Sequence, residues 1–172
     1  MTFSEYGRLL WGALIELAFG LAIFIATNLL AEEPVRTAFV RNTASDWLAV
    51  TGQVLFPAAV AVWITYVNIE SSSFGDYLRY RHAAGAFHFS FAYPGFVFFA
   101  ATVCLIFTKG TVLTWMPTLS VFLLAYSMAV FVAMVLNVAT VMRLYGAFRA
   151  EMAKEQGRGE QQAKRADPPP HA

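Results

Sequence analysis

The stretch "WGALIELAFGLAIFIATNLL", residues 11–30, decides the fold, because Glu16 is the one charged side chain in it. A helix needs ~20 mainly apolar residues to cross a hydrocarbon core of ~30 Å. This stretch meets that requirement with a single carboxylate inside it. Its apolar run starts at Leu9, and three uncharged runs follow. Residues 47–69 carry no charge, and residues 83–108 hold His88 as their one group that titrates near neutrality. Residues 111–142 are again uncharged. At ~1.5 Å rise per residue that last run is longer than the core is thick. Pro117 suits the first turn of a helix, where its missing N–H costs nothing. The spans therefore read as about 9–30, 47–69, 84–108 and 116–142.

Composition agrees with that reading. Of 172 residues, 58% are hydrophobic and 13% charged, about half the charge of a typical soluble domain. The expected fold is all-α, an integral membrane bundle of four transmembrane helices formed by residues 1–154 with the lipid bilayer as its solvent. The first apolar run is too long for a cleaved signal and no small-residue cleavage site follows it. With the N-terminus inside, nine bases collect on the inner side: Arg8, Arg79, Arg81, Arg143, Arg149, Lys154, Arg158, Lys164 and Arg165. Arg36, Arg41 and Lys109 remain outside. That asymmetry places both termini in the cytoplasm, and the reading locates the chain in a bacterial cytoplasmic (inner) membrane. A net charge of +1 gives no reason to expect a nucleic-acid partner, and the lone Cys104 excludes an intrachain disulfide framework.

Between the spans, residues 31–46 read as an outer loop in which Pro34 stops the first helix. Thr43, Ser45 and Asp46 are the N-cap candidates for the second. Pro57 is expected to kink that second helix. The segment around Ser73 and Asp76 predicts a short interfacial helix. The polar, Gly- and Pro-containing residues 155–172 predict a disordered cytoplasmic tail.

The question is what Glu16 faces. Residues four apart share a helix face, so Glu16 shares its stripe with Gly12 and Gly20. Small residues at that spacing let helices approach closely in lipid, which predicts that Glu16 points into protein. It lies ~10 Å inside the cytoplasmic boundary, counted from Leu9. Asn68, His88 and Asn137 fall in the same leaflet, one from each other span. His88 lies on a face with Ala92 and Gly95, again small. The four polar residues predict a cluster that either fixes helix register by hydrogen bonding or contains a titrating Glu16–His88 pair.

Residues 88–100, "HFSFAYPGFVFFA", supply Phe89, Phe91, Phe96 and Phe98 as a candidate surface for a partner. Bis-histidine haem ligation is not expected, since His88 is the only histidine within a span, and the residues suggest no metal site or other cofactor. Walker, zinc and nucleophile-elbow patterns are absent. Four spans with one glutamate in the first resemble the small multidrug-resistance transporters in architecture. This chain departs from them in its length, its long first loop, its charged tail and the missing aromatic signature of the third helix. The leading expectation is a non-enzymatic membrane subunit that forms homo-oligomers or docks on a larger membrane complex. The alternative is a proton- or cation-coupled transporter or channel that uses Glu16.

Overall fold

The computed structural model describes residues 3–110 and 115–166, with side chains described for 14–110 and 115–158. Every element among the described residues is helical. These are α1 (Phe3–Leu30), α2 (Glu33–Leu48), a π-helical segment (Ala49–Leu55), α3 (Phe56–Glu70), α4 (Ser73–Tyr80), α5 (Ala84–Gly110) and α6 (Met116–Ala166). Three helices are long and apolar enough to cross a membrane: Glu33–Glu70, Ala84–Gly110 and Met116–Arg158. Within α1 the described apolar part is Leu14–Leu30. The chain divides into two units, residues 1–137 and 138–172.

The first finding against the sequence reading is α2. Residues 33–48 are helix, and with the π-helical segment and α3 they form one helix of 38 residues. Helix α1 does end at Leu30, four residues before Pro34, the position whose carbonyl a proline leaves without a donor, and Pro34 itself sits in the first turn of α2 with Glu32 as an extended N-cap, where a proline is harmless. Because the helix has already begun at Glu33, Thr43, Ser45 and Asp46 cap nothing. Thr43 Oγ1 donates to Phe39 O at 2.9 Å, and Ser45 Oγ accepts from Lys109 Nζ at 2.7 Å. One face of α2 is buried, at Arg36, Val40 and Ala44. Val40 and Ala44 form a core with Leu105, flanked by Trp47, Leu48, Val121 and Leu124.

At Pro57 the helix continues, and the segment before it, Ala49–Leu55, is π-helical. A proline at 57 leaves the Gln53 carbonyl without its usual donor, and the turns just before it are wound wider. The Phe56 N–H reaches back to Thr51 O, a π-type bond. The widened segment lies against α5: Thr102 Oγ1 donates to Thr51 Oγ1 at 3.2 Å. A Cβ on Gly52 would stand 3.1 Å from Thr102 Cγ2.

Helix α5 packs against α1, α2, the π segment, α3 and α4. Phe91, Pro94, Val97, Phe98, Ala101, Leu105 and Thr108 are its buried stripe. The helix passes through Pro94 without ending. Its last turn is tied to the first turns of α6 by the Thr108–Ser120 hydroxyl bond of 2.7 Å, which is buried. At its other end Tyr66 of α3, 2% exposed, donates from its hydroxyl to Ala84 O at 2.8 Å. Tyr66→Phe deletes that buried bond and nothing else, so thermal unfolding should show a loss of about 1 kcal/mol. An unchanged midpoint would mean that the bond does not hold α3 to α5.

The turn from α3 into α4 accounts for its own polar groups. A helix ends with carbonyls that lack donors. Here Ser71 Oγ bonds Asn68 O at 2.7 Å, Ser72 Oγ bonds Ile69 O at 2.6 Å and Arg79 Nη2 bonds Glu70 O at 3.0 Å. Helix α4 is the short helix foreseen around Ser73, with Ser72 as its N-cap. It buries Phe74, Gly75 and Leu78. His82 follows with φ 54°, and Ala83 N donates to Leu78 O at 2.9 Å, a C-terminal lock that usually employs glycine.

Helix α6 continues to Ala166, past residue 155 where composition predicted disorder. Glu, Gln, Lys, Arg and Ala dominate there, and these residues have high intrinsic helix propensity. Residues 167–172 lie outside the described residues. Within the unit 138–172, the Arg149 guanidinium donates to the Tyr145 hydroxyl at 3.1 and 3.0 Å.

Candidate functional site

Gly20 is buried in α1 and faces Tyr126 of α6: a Cβ there would stand 3.0 Å from Tyr126 Cδ2 and 3.1 Å from its Cα. The close approach foreseen from the small-residue stripe is therefore present at Gly20. One turn before it on the same helix, Glu16 is half-buried. Glu16 has no hydrogen bond among the described residues. The Tyr126 hydroxyl is hydrogen-bonded to that of Tyr93 on α5. Aromatic rings continue in both directions. Phe24 meets Phe122 edge-on at 5.6 Å, and Phe122 stacks on Tyr126 at 5.9 Å. Tyr126 meets Tyr93 at 6.4 Å, and Tyr93 stacks on Phe89 at 5.4 Å. The string joins three helices, and Gly20, one turn from Glu16, lies against its middle residue, Tyr126. Such aromatic contacts contribute roughly 0.5–1.5 kcal/mol each beyond burial.

His88 lies elsewhere. Its Nδ1 is 3.3 Å from Glu70 Oε2, and its ring meets Trp63 and Tyr66 edge-on at 6.2 and 6.3 Å. Glu70 is the last residue of α3, and His88 stands in the first turns of α5. The short α4 returns the chain so that these two ends lie side by side. Glu70 falls just beyond the span read as 47–69, and the polar residues singled out within the spans did not include it as the acidic partner. Asn68 is exposed, with its backbone carbonyl taken by Ser71. Asn137 is half-buried. No hydrogen bond among the described residues joins any two of Glu16, Asn68, His88 and Asn137.

The remaining sequence candidates also separate. A Cβ on Gly95 would meet nothing within 4 Å, so that glycine lines no tight helix contact. Ala92 is half-buried, and the surroundings of Gly12 lie outside the described residues. Phe91 and Phe98 are 2% and 0% exposed, whereas Phe89 and Phe96 are 48% and 72% exposed. The reason is helical phase. Residues seven apart share a face, and residues two apart are turned by ~200°. The four phenylalanines are therefore two stripes, one core and one surface.

Among the described residues, two buried polar atoms have no partner, Arg36 Nε and Ser127 Oγ. No group of three or more His, Cys, Asp or Glu able to hold a metal ion occurs among the described residues. An open cleft of about 430 Å³ is lined by Phe24, Glu33, Trp115, Thr118, Leu119 and Phe122.

No family model, no curated protein and no solved structure matches this chain. The functional reading therefore rests on its own residues.

Proposed function

We propose that this is an integral membrane protein of four spans with both termini in the cytoplasm, acting as a non-enzymatic subunit that assembles with copies of itself or within a larger membrane complex. The observation that carries this reading is Glu16: a half-buried carboxylate, well inside an apolar helix, with no hydrogen bond among the described residues. A charge at such a depth costs at least ~2.5 kcal/mol, and lipid tails have no donor to offer it. A further protein surface closing over this face of α1 supplies one. Phe19, three residues on and so on the same side of the helix as Glu16, is 57% exposed, apolar area that the same surface would cover.

The test is size and composition after extraction in a mild detergent, by light scattering and mass spectrometry. Wild type should run as an assembly of more than one chain. Glu16→Gln keeps the shape and most hydrogen bonds of glutamate, so its assembly should match wild type. A wild-type protein that is a single chain in both detergent and lipid nanodiscs would refute the subunit reading.

A second reading is favoured by the Tyr93–Tyr126 hydroxyl pair, which makes a short polar link between helices and packs against Gly20, one turn from Glu16. In that case Glu16 exchanges protons or binds a cation. Glu16→Gln would then assemble normally yet lose pH-dependent transport in liposomes. His88, paired with Glu70, would not couple to it.

A further inference from the structure

The cleft at the ends of α1, α2 and α6 has the chemistry of a cation site, and we propose that it binds an alkylammonium group carrying an apolar body. Its volume of about 430 Å³ lies in the range of small-molecule sites. The walls are three aromatic rings, Phe24, Phe122 and Trp115, together with Leu119. Glu33 brings a carboxylate and Thr118 a hydroxyl. Glu33 has neither a hydrogen bond nor an ion pair among the described residues. Lys109, at the end of α5, is engaged with Ser45. The cleft therefore offers a carboxylate and aromatic side chains, and no cation is paired with Glu33 among the described residues.

Each part acts differently on such a ligand. Ring faces attract cations, tryptophan most strongly, within ~6 Å of the centroid. Trp115 is 54% exposed, so its ring is available. An alkyl or aryl body gains by leaving water beside Phe24, Phe122 and Leu119. The carboxylate supplies the long-range attraction that a neutral ligand of the same shape does not feel. Glu33 also complements the first turn of α2 electrostatically, but that role needs neither the aromatic walls nor the cleft. A primary or quaternary ammonium can arrive on a free amphiphilic amine or on a phospholipid headgroup, and the chemistry at the site is the same. This inference is independent of the subunit reading.

The probe is radiolabelled benzyltrimethylammonium, measured by equilibrium dialysis against the full chain in maltoside micelles, with empty micelles as the blank. Binding should be saturable. Neopentylbenzene, in which carbon replaces the charged nitrogen, should compete at least about tenfold more weakly, a difference of ~1.4 kcal/mol. Glu33→Gln should weaken binding by about tenfold or more, and Trp115→Leu should weaken it while Trp115→Phe retains it. Glu32→Gln, next to it in sequence, should stay within about twofold. Helical circular dichroism and sizing establish that each variant is folded. Displacement of the probe by phosphatidylcholine but not phosphatidylglycerol assigns the site to a lipid headgroup, and displacement by neither assigns it to a free amine. Binding no greater than the micelle blank, or full affinity in a folded Glu33→Gln protein, would overturn the proposal.

Discussion

Gly75→Ala should destabilise the protein by about 3 kcal/mol, the upper end of what overpacking costs, although it adds one methyl group. A Cβ at Gly75 would overlap the carbonyl carbon and oxygen of Glu70 and stand 2.7 Å from its Cα. All of these are backbone atoms, so no side-chain rotation relieves the overlap and the α3–α4 turn itself must open. The Glu70 carbonyl accepts from Arg79 at 3.0 Å, and the Glu70 carboxylate faces His88 at 3.3 Å. Both contacts should loosen together, and protease should cut near residues 70–73 at lower doses. Gly95→Ala is the matched control. Space beside Gly95 is open, and alanine favours helix over glycine by up to ~1 kcal/mol, so that variant should be neutral or slightly more stable. Equal midpoints for Gly75→Ala and wild type in a denaturant titration would refute this account of the turn.

The contrast between these two glycines shows which features are legible in a sequence. Gly95 lies on a face of small residues at helical spacing and reads as a packing position, yet it meets open space. Gly75 sits in "SSSFGDY", a stretch that reads as the start of a short interfacial helix, and the contact that requires glycine is made only once α4 folds back on the end of α3. Helix positions were legible because length and lack of charge are local properties. Residues 84–108 were expected and Ala84–Gly110 is found; the start of α6 at Met116 was likewise foreseen. The helical state of residues 33–48 was missed because charge and Pro34 were read as marks of a loop. Those features exclude only burial in lipid, and the fourfold spacing of Arg36, Val40 and Ala44 was the available helix signal. At the candidate site, Glu16 and Gly20 could be placed from spacing along a single helix. The pairing of His88 with Glu70 and the split of the phenylalanines into core and surface stripes needed the phase of α5 against α3. Composition does not carry that phase.

Gly20→Leu should separate α1 from α6. Glycine lets the two backbones approach so closely that even a Cβ would stand 3.0 Å from Tyr126 Cδ2, 3.1 Å from its Cα and 3.2 Å from its Cβ. Because one of these atoms is backbone, rotating the Tyr126 ring relieves only part of the clash. Alanine asks the neighbours to yield by a few tenths of an ångström, whereas leucine asks for the width of an isobutyl group. Between apolar helices in lipid, association depends on close packing in place of hydrophobic burial, so a forced separation is not offset by gains elsewhere. The Phe24–Phe122 contact at 5.6 Å lies one turn along the same face and should be lost. The expected cost is about 1–3 kcal/mol, read as a lowered unfolding midpoint in micelles, with Gly20→Ala falling between. Gly95→Leu, the same change where space is open, should leave the midpoint near wild type. Adding Tyr126→Ala to Gly20→Leu should recover part of the loss, a less than additive pair as expected for residues in contact. Strict additivity, or a Gly20→Leu protein as stable as wild type, would show that α1 is not held to α6 through this glycine. Glu16, one turn away on that face, would then owe its position to something other than the Gly20–Tyr126 contact.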